Sequence, residues 1–334
     1  MRITSETLHK VARDTAEKYA RRDRGLICIY LTGSLLTDNP LLGGTTDIDL
    51  IFVHTTQPAY PREIVRLTDE VHLDIANVSQ TLFQQPRRLR FDPWFGSFLC
   101  ANPLALHDLG HWFEFTQASA GAQFDMPEYI VQRARKLADL ARQGWFDLQG
   151  QPPDGSPRQV HQYLTVLENA ANSIALLSGT PLTERRFLLH FPARAEAVGR
   201  PGLAAGLVDL IRTDQVNAQN LPNWLEPWRE SLLAAGALPD VPPRLAPARM
   251  AYYDRAATAL NDDYPDAALW LVLRTWTRAV LALKDDSVLR QPWLEACRQC
   301  ALAAENLEER HAELDVYLDT VEETLDEWAK NYGV

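Results

Sequence analysis

Apolar and polar residues follow two different periods along the chain, and the change falls near residue 125. Residues 5–22 place apolar side chains three or four apart between charged ones, which predicts an amphipathic helix. Three short runs rich in Ile, Val and Leu then predict β-strands: Leu26–Thr32, Asp47–His54 and Val71–Val78. A further strand is expected at Ala101–Leu106. The first part of the chain is therefore predicted to form a small mixed sheet with a helix.

Beyond residue 125 the apolar spacing is that of helices. The main predicted helices are Pro127–Gln143, Gln159–Leu177, one whose apolar face runs from Leu269 to Leu283, and Ala303–Ala329. Pro- and Gly-rich breaks separate them at residues 149–157 and 236–247. We predict an α+β protein, with a sheet domain at residues 1–125 and an all-helical C-terminal region at 126–334. The break at 236–247 is where that region could subdivide.

Composition and charge narrow the class of ligand. The chain of 334 residues is 46% hydrophobic and 23% charged, as in ordinary globular proteins. Its net charge of −11 falls mostly beyond residue 125, which argues against nucleic acid as a partner and favours a small or cationic ligand. The acidic face of the last predicted helix is either a solvated surface or a docking surface for a cation. No apolar run could span a bilayer and the N-terminal residues are charged, so we expect a cytoplasmic protein without a membrane contact.

Three aspartates on two predicted strands carry the candidate chemistry. Asp47 and Asp49 lie two apart, so both carboxylates point to one face of their strand. Asp74 lies on the polar face of the Val71–Val78 strand. Neighbouring carboxylates raise each other's pKa unless a cation neutralises them. Because oxygen ligands suit Mg²⁺, the three acids predict a site for two Mg²⁺ ions if the strands are neighbours.

Gly33 and Ser34 follow the first strand, and twelve residues separate them from Asp47; with Asp49 and Asp74 they form a recognisable arrangement. It resembles the nucleotidyltransferase superfamily of the DNA polymerase beta fold. The resemblance implies that Gly33 and Ser34, at a helix N-terminus, hold the phosphates of a nucleoside triphosphate while the three aspartates bind Mg²⁺. It also implies transfer of a nucleoside monophosphate, most simply AMP from ATP, to a hydroxyl with release of pyrophosphate.

A sheet domain followed by helices is similar to the plan of aminoglycoside nucleotidyltransferases. That similarity implies a small, hydroxyl-bearing and cationic acceptor, shaped by the helical region. Two alternatives stay open. One is a nucleotidyltransferase that attaches AMP to a partner protein, as in toxin–antitoxin systems. The other is a nucleotide-binding sensor without turnover.

Further candidate residues lie outside the motif. Thr46 stands just before the two paired aspartates and could contact a phosphate. Glu168 lies in an otherwise apolar predicted helix, where a carboxylate could act as general base on the acceptor hydroxyl instead of the third aspartate. Arg133 and Lys136, on an earlier helix, could reach the triphosphate, as basic residues of the helical part do in the resembling enzymes.

Overall fold

The chain forms two compact units, Met1–Tyr129 and Ile130–Val334, in a computed structural model that describes residues 3–216, 219–284 and 287–334. The first unit contains the sheet and the second is helical, so the predicted α+β class is confirmed. The division falls in the first turn of the helix that begins at Pro127, whereas the sequence pattern changes at residue 125.

The first unit is built on a mixed sheet. Its elements are α1 (Ser5–Arg22), β1 (Leu26–Thr32), β2 (Thr46–His54), β3 (Arg62–Arg66), β4 (Val71–Ser79), α2 (Phe95–Cys100), β5 (Leu104–Asp108) and α3 (Trp112–Gly121). The strand order is β3-β4-β2-β1-β5. Only the β2–β4 pair within this sheet is parallel, and the other neighbours are antiparallel.

The three predicted strands are confirmed to within a residue, but two predictions about the sheet need correction. The strand expected at 101–106 begins at Leu104, because Asn102 has a positive φ of 52° and Pro103 has no N–H to donate to a ladder. Strand β3 was not predicted at all. It pairs only with β4 and lies at the edge of the sheet.

Alternation along the strands gives the sheet two different faces. One face packs against α1 through side chains that include Leu31, Leu50, Phe52 and Ile75. The other face packs Cys28, Tyr30, Ile51 and Val53 against the shorter helices, through residues such as Leu99 and Phe113. Positions 47, 49 and 74 belong to this second face but lie outside its apolar cluster.

A tight turn fixes the start of β2. Leu42 and Thr45 exchange backbone hydrogen bonds of 3.0 and 3.2 Å around Gly43 and Gly44, whose φ angles are 59° and 72°. Positive φ at both central residues is the geometry of a two-residue hairpin turn and favours glycine. This turn therefore leads the chain directly into the strand that carries Asp47.

The second unit is a bundle of helices. They are α4 (Pro127–Gln149), α5 (Pro157–Ala175), α6 (Phe187–Ala197), α7 (Gly202–Asp209), α8 (Leu221–Gly236), α9 (Met250–Asn261), α10 (Pro265–Ala282), α11 (Arg290–Gln299) and α12 (Ala304–Asn331). The break at 236–247 connects α8 to α9 inside this unit. None of the described helices is both long and apolar enough to cross a membrane.

Helix α10 lies at the centre of the bundle, and the sequence prediction of a single apolar face was too narrow. Its residues are buried almost all round from Ala267 to Val280. The indole N–H of Trp276 donates to Ser231 at 2.9 Å, and Thr275 accepts from Trp228 at 3.0 Å. These bonds satisfy polar groups that would otherwise be buried without partners.

The acidic face of α12 is largely paired with arginines of the same unit. Arg142 on α4 donates to Asp315, Asp319 and Glu322 at 2.5, 2.6 and 2.7 Å. Arg135, seven residues earlier on the same helix, donates to Asp326 at 2.9 Å. These carboxylates are still 39–75% exposed, so the face is solvated as well as paired with arginines, and its use as a docking surface for a cation stays a prediction.

Candidate metal and nucleotide site

Three carboxylates converge on one face of the sheet. An oxygen of Asp47, one of Asp49 and one of Asp74 all lie within 4.8 Å of one another. Asp47 and Asp74 are only 6% and 3% exposed, while Asp49 is half-buried. The expected proximity of the three acids is therefore present in the fold.

The strand register explains why the aspartates meet. In the parallel β2–β4 pair, Asp49 lies directly beside Asp74, and Asp47 lies beside His72. Residues side by side on neighbouring strands point to the same face, and those two apart on one strand do so as well. The intervening Ile48 points to the opposite face and packs into the core under α1. Apolar burial on one face thus fixes the carboxylates on the other.

Asp74 has a cationic partner that was missed from the sequence. The Nε and Nη2 groups of Arg62 donate to its two carboxylate oxygens at 2.6 and 2.7 Å. Arg62 lies on edge strand β3, and its side chain is 31% exposed. A nearly fully buried carboxylate requires such a partner, but the sequence shows neither the burial of Asp74 nor which cation lies beside it. The contact neutralises part of the charge of the cluster.

Gly33 lies against the carboxylate of Asp49. A Cβ atom added to Gly33 would be 2.0 Å from Asp49 Oδ2, and the φ angle of Gly33 is +80°. The lack of space and the left-handed backbone conformation both prevent a larger residue from fitting here without a local shift. The glycine therefore allows the turn after β1 to approach the aspartate cluster.

Ser34 presents a buried hydroxyl beside this glycine. Among the described residues, its Oγ has no hydrogen-bond partner although the atom is shielded from solvent. A buried polar group without a partner is costly, so a ligand that accepts from this hydroxyl would remove that cost. The role of Ser34 as a phosphate ligand stays a prediction.

The turn after β1 differs from the helix start that the resemblance implies. Gly33–Leu36 is one turn of 3₁₀ helix, and Thr37 then returns to an extended conformation. The backbone N–H and the side-chain hydroxyl of Thr37 both donate to the Ser34 carbonyl, at 3.0 and 2.7 Å, which ends the turn. Four residues are too short to supply a helix dipole. Phosphate binding here would depend on Ser34 and the turn amides alone.

The residues present fit a magnesium site. The donors are carboxylates, the oxygen ligands that Mg²⁺ prefers, and they come from rigid strands. In the described part of the chain, no other group of three or more His, Cys, Asp or Glu side chains has this proximity. Asp47, Asp49 and Asp74 are accordingly the residues that would hold the metal.

The hydroxyl group of Thr46 already forms a hydrogen bond within the protein. It is fully buried, and its Oγ1 lies 3.0 Å from the carbonyl oxygen of Pro40, to which it donates. This contact holds the segment before β2 in place. A phosphate contact by Thr46 would require that bond to be replaced, and its role as a phosphate ligand stays a prediction.

The remaining predicted site residues belong to the second unit. Glu168, on α5, accepts a 2.8 Å hydrogen bond from Arg274. Arg133, on α4, is 3% exposed rather than a solvated helix charge, while Lys136 on the same helix is exposed. A catalytic role for Glu168 and triphosphate contacts by the two basic residues stay predictions.

Glu168 is part of an ionic cluster that sequence reasoning did not identify. Arg278 lies between Glu168 and Glu184, at 3.9 and 2.5 Å. Glu184, with a φ angle of 29°, also accepts from the hydroxyl of Tyr253 at 3.0 Å. Burial alone would raise the pKa of Glu184, but the surrounding arginines, including Arg278, hold it well below its usual range. The cluster connects segments that are distant in sequence, and the apolar pattern of a single helix cannot reveal such contacts.

No protein-family model matches the chain, and no curated protein matches it significantly.

Proposed function

We propose that the first unit binds a nucleoside triphosphate together with Mg²⁺ and transfers the nucleoside monophosphate to a hydroxyl group. The observation that carries this proposal is the convergence of Asp47, Asp49 and Asp74 beside Gly33 and Ser34. A carboxylate cluster alone is common, but here it lies next to a close-approach glycine and a buried hydroxyl without a partner. Together these supply ligands for a cation and for a phosphate at one place.

Each residue has a defined task in this reaction. Asp47 and Asp49 would hold the cation, with Asp74 as the third ligand, and the Ser34 hydroxyl would donate to a phosphate oxygen. When bound, Mg²⁺ neutralises phosphate charge and favours deprotonation of the acceptor hydroxyl. Fixed strands hold these groups in place, which lowers the entropic cost of bringing the reactants together.

The bond changes balance without a further reactant. The acceptor oxygen forms a bond to the α-phosphorus, and the bond from that phosphorus to the oxygen bridging to the β-phosphate breaks. Pyrophosphate leaves, and the hydroxyl proton passes to a base. Asp74 is the base that the first unit offers, provided that one of its two hydrogen bonds to Arg62 is released.

The proposed acceptor is a small molecule that carries hydroxyl and amino groups, with ATP as the expected donor. The excess of acidic over basic residues, 44 against 33, favours a cationic acceptor over a nucleic acid. An aminosugar combines the required hydroxyl with positive charge.

Pyrophosphate release tests the proposal. The full chain is incubated with Mg²⁺, each of the four common nucleoside triphosphates and a panel of aminosugars and other amino alcohols. We expect release that needs both Mg²⁺ and an acceptor and that falls by on the order of a hundredfold or more in Asp47→Asn and Asp49→Asn. Asp69→Asn, in the exposed turn between β3 and β4, serves as the matched control and should retain the activity.

The same assay separates the alternatives. Labelled AMP that appears on a co-purified protein, with no small-molecule product, would favour a partner protein as acceptor. Thermal stabilisation by a nucleotide with Mg²⁺, but no turnover with any acceptor, would favour a sensor. If Asp47→Ala and Asp49→Ala respond to nucleotide and Mg²⁺ as the wild type does, the assignment of the site is wrong.

A further inference from the structure

Arg62 introduces a positive charge into the aspartate cluster. It contacts both oxygens of Asp74, and the two side chains differ in exposure: 31% for Arg62 and 2% for Asp74. The carboxylate is anchored within the sheet, whereas the guanidinium reaches it from edge strand β3, where solvent is available. Arg62 can therefore withdraw toward solvent more easily than Asp74 can move.

The guanidinium and a divalent cation would need the same ligand atoms. An Asp74 oxygen lies within 4.8 Å of oxygens from both Asp47 and Asp49, and both Asp74 oxygens already accept from Arg62. A cation held by the three aspartates would share an Asp74 oxygen with Arg62 and lie close to its positive charge. Like charges at such distances repel strongly when partly shielded from water.

We propose that Arg62 is an intrinsic counter-ion that competes with the divalent cation for Asp74 and weakens metal binding by the nucleotide-free protein. This inference rests on the proposed function only in that the three aspartates bind a divalent cation. Arg62 cancels one of the three negative charges, and a nucleoside triphosphate brings several new ones. Metal loading is then coupled to nucleotide binding, because the phosphates replace the negative charge that Arg62 removes. Arg62 acts through Asp74 and is a positioning residue.

Titration of the full-length protein with Mn²⁺, with free Mn²⁺ followed by electron paramagnetic resonance and no nucleotide present, tests this role. Arg62→Gln removes the charge, and we expect it to bind Mn²⁺ on the order of tenfold more tightly than the wild type. Arg62→Lys keeps the charge and should bind Mn²⁺ about as weakly as the wild type. Arg66→Gln is the matched control, since Arg66 lies on the same face of β3 but pairs with Asp69 and should not affect the affinity.

Thermal unfolding with and without metal distinguishes a counter-ion from a merely structural ion pair. In EDTA, Arg62→Gln should unfold at a lower temperature than the wild type, because three carboxylates then repel one another with less compensation. Saturating Mn²⁺ should remove most of that difference. A purely structural ion pair would cost the same stability with and without the metal.

Several results would overturn the inference. These are an Mn²⁺ affinity of Arg62→Gln that is unchanged or weaker, an Arg62→Lys affinity raised as much as that of Arg62→Gln, or a stability loss that Mn²⁺ does not reduce. If neither the wild type nor Arg62→Gln binds Mn²⁺, both the inference and the metal site are wrong. Tighter Mn²⁺ binding by Arg62→Gln, in a protein that transfers no nucleotide, would support the inference while the transferase proposal fails.

Discussion

Replacing Gly33 by alanine should damage the aspartate site more than it damages the fold. The substitution has two separate costs. An alanine held at φ +80° costs roughly 1–2 kcal/mol of unfolding free energy, since its Cβ crowds the backbone in the left-handed region. The second cost is local, because the new Cβ would lie 2.0 Å from Asp49 Oδ2.

The size of the displacement decides the functional effect. Ordinary contact begins at about 3.4 Å, so the Asp49 carboxylate or the turn must move by more than ~1 Å. Misplacement of a reacting group by about 1 Å can cost on the order of a hundredfold in rate. We therefore expect Gly33→Ala to lose about 2–3 kcal/mol of stability, a hundredfold or more of pyrophosphate release and most Mn²⁺ affinity.

Gly110→Ala is the matched control. Gly110 has a φ angle of +65°, and an added Cβ would meet nothing within 4 Å. This variant should therefore show the backbone cost of about 1–2 kcal/mol in guanidinium unfolding while it keeps wild-type Mn²⁺ affinity and activity. If Gly33→Ala and Gly110→Ala lose stability equally and both retain Mn²⁺ affinity, Gly33 does not position Asp49 and the reasoning is refuted.

Two further predictions concern the second unit. Arg142→Ala removes three contacts to α12 and should lower the unfolding free energy by about 2–3 kcal/mol. The control Arg135→Ala removes one exposed ion pair and should lower it by less than about 1 kcal/mol. Equal losses of the two variants in chemical denaturation would contradict this prediction. Burial and then Arg274 and Arg278 lower the pKa of His161 to about 4, below its value in the unfolded chain. The neutral ring therefore stabilises the fold fully above pH ~6.5, and this contribution of roughly 1–2 kcal/mol is lost as the pH falls toward 4. His161→Gln should flatten that part of the pH–stability curve, and an unchanged slope would show that other groups cause it.

The sequence was sufficient to predict the strands that carry the aspartates. β1, β2 and β4 are long apolar runs, and alternation within β2 and β4 placed Asp47, Asp49 and Asp74 on the face opposite the core under α1. The apolar signal is local and strong, because nearly every residue of these strands is buried on one face of the sheet or the other. The proximity of the three acids then depended only on β2 and β4 being neighbours, which the sheet order provides.

Long-range pairings limited the rest of the prediction. Strand β3 is five residues long and half-exposed, so Arg62–Arg66 has little apolar signal, and Arg62 could not be linked to Asp74 without the β3–β4 register. The burial of α10 on all sides likewise depends on the helices that surround it. The turn after β1 is a single 3₁₀ turn because Thr37 donates to the Ser34 carbonyl and ends it. The spacing of apolar residues does not show such a hydrogen bond.

The arginines that pair with α12 change where negative charge lies rather than how much of it there is. The formal charge of −11 already counts every Lys and Arg, and Arg142, bonded to three carboxylates, offsets only one of their three negative charges. A net charge of this size attracts a polycation over a distance, and salt screens that attraction. The encounter rate with such a molecule should accordingly fall as ionic strength rises.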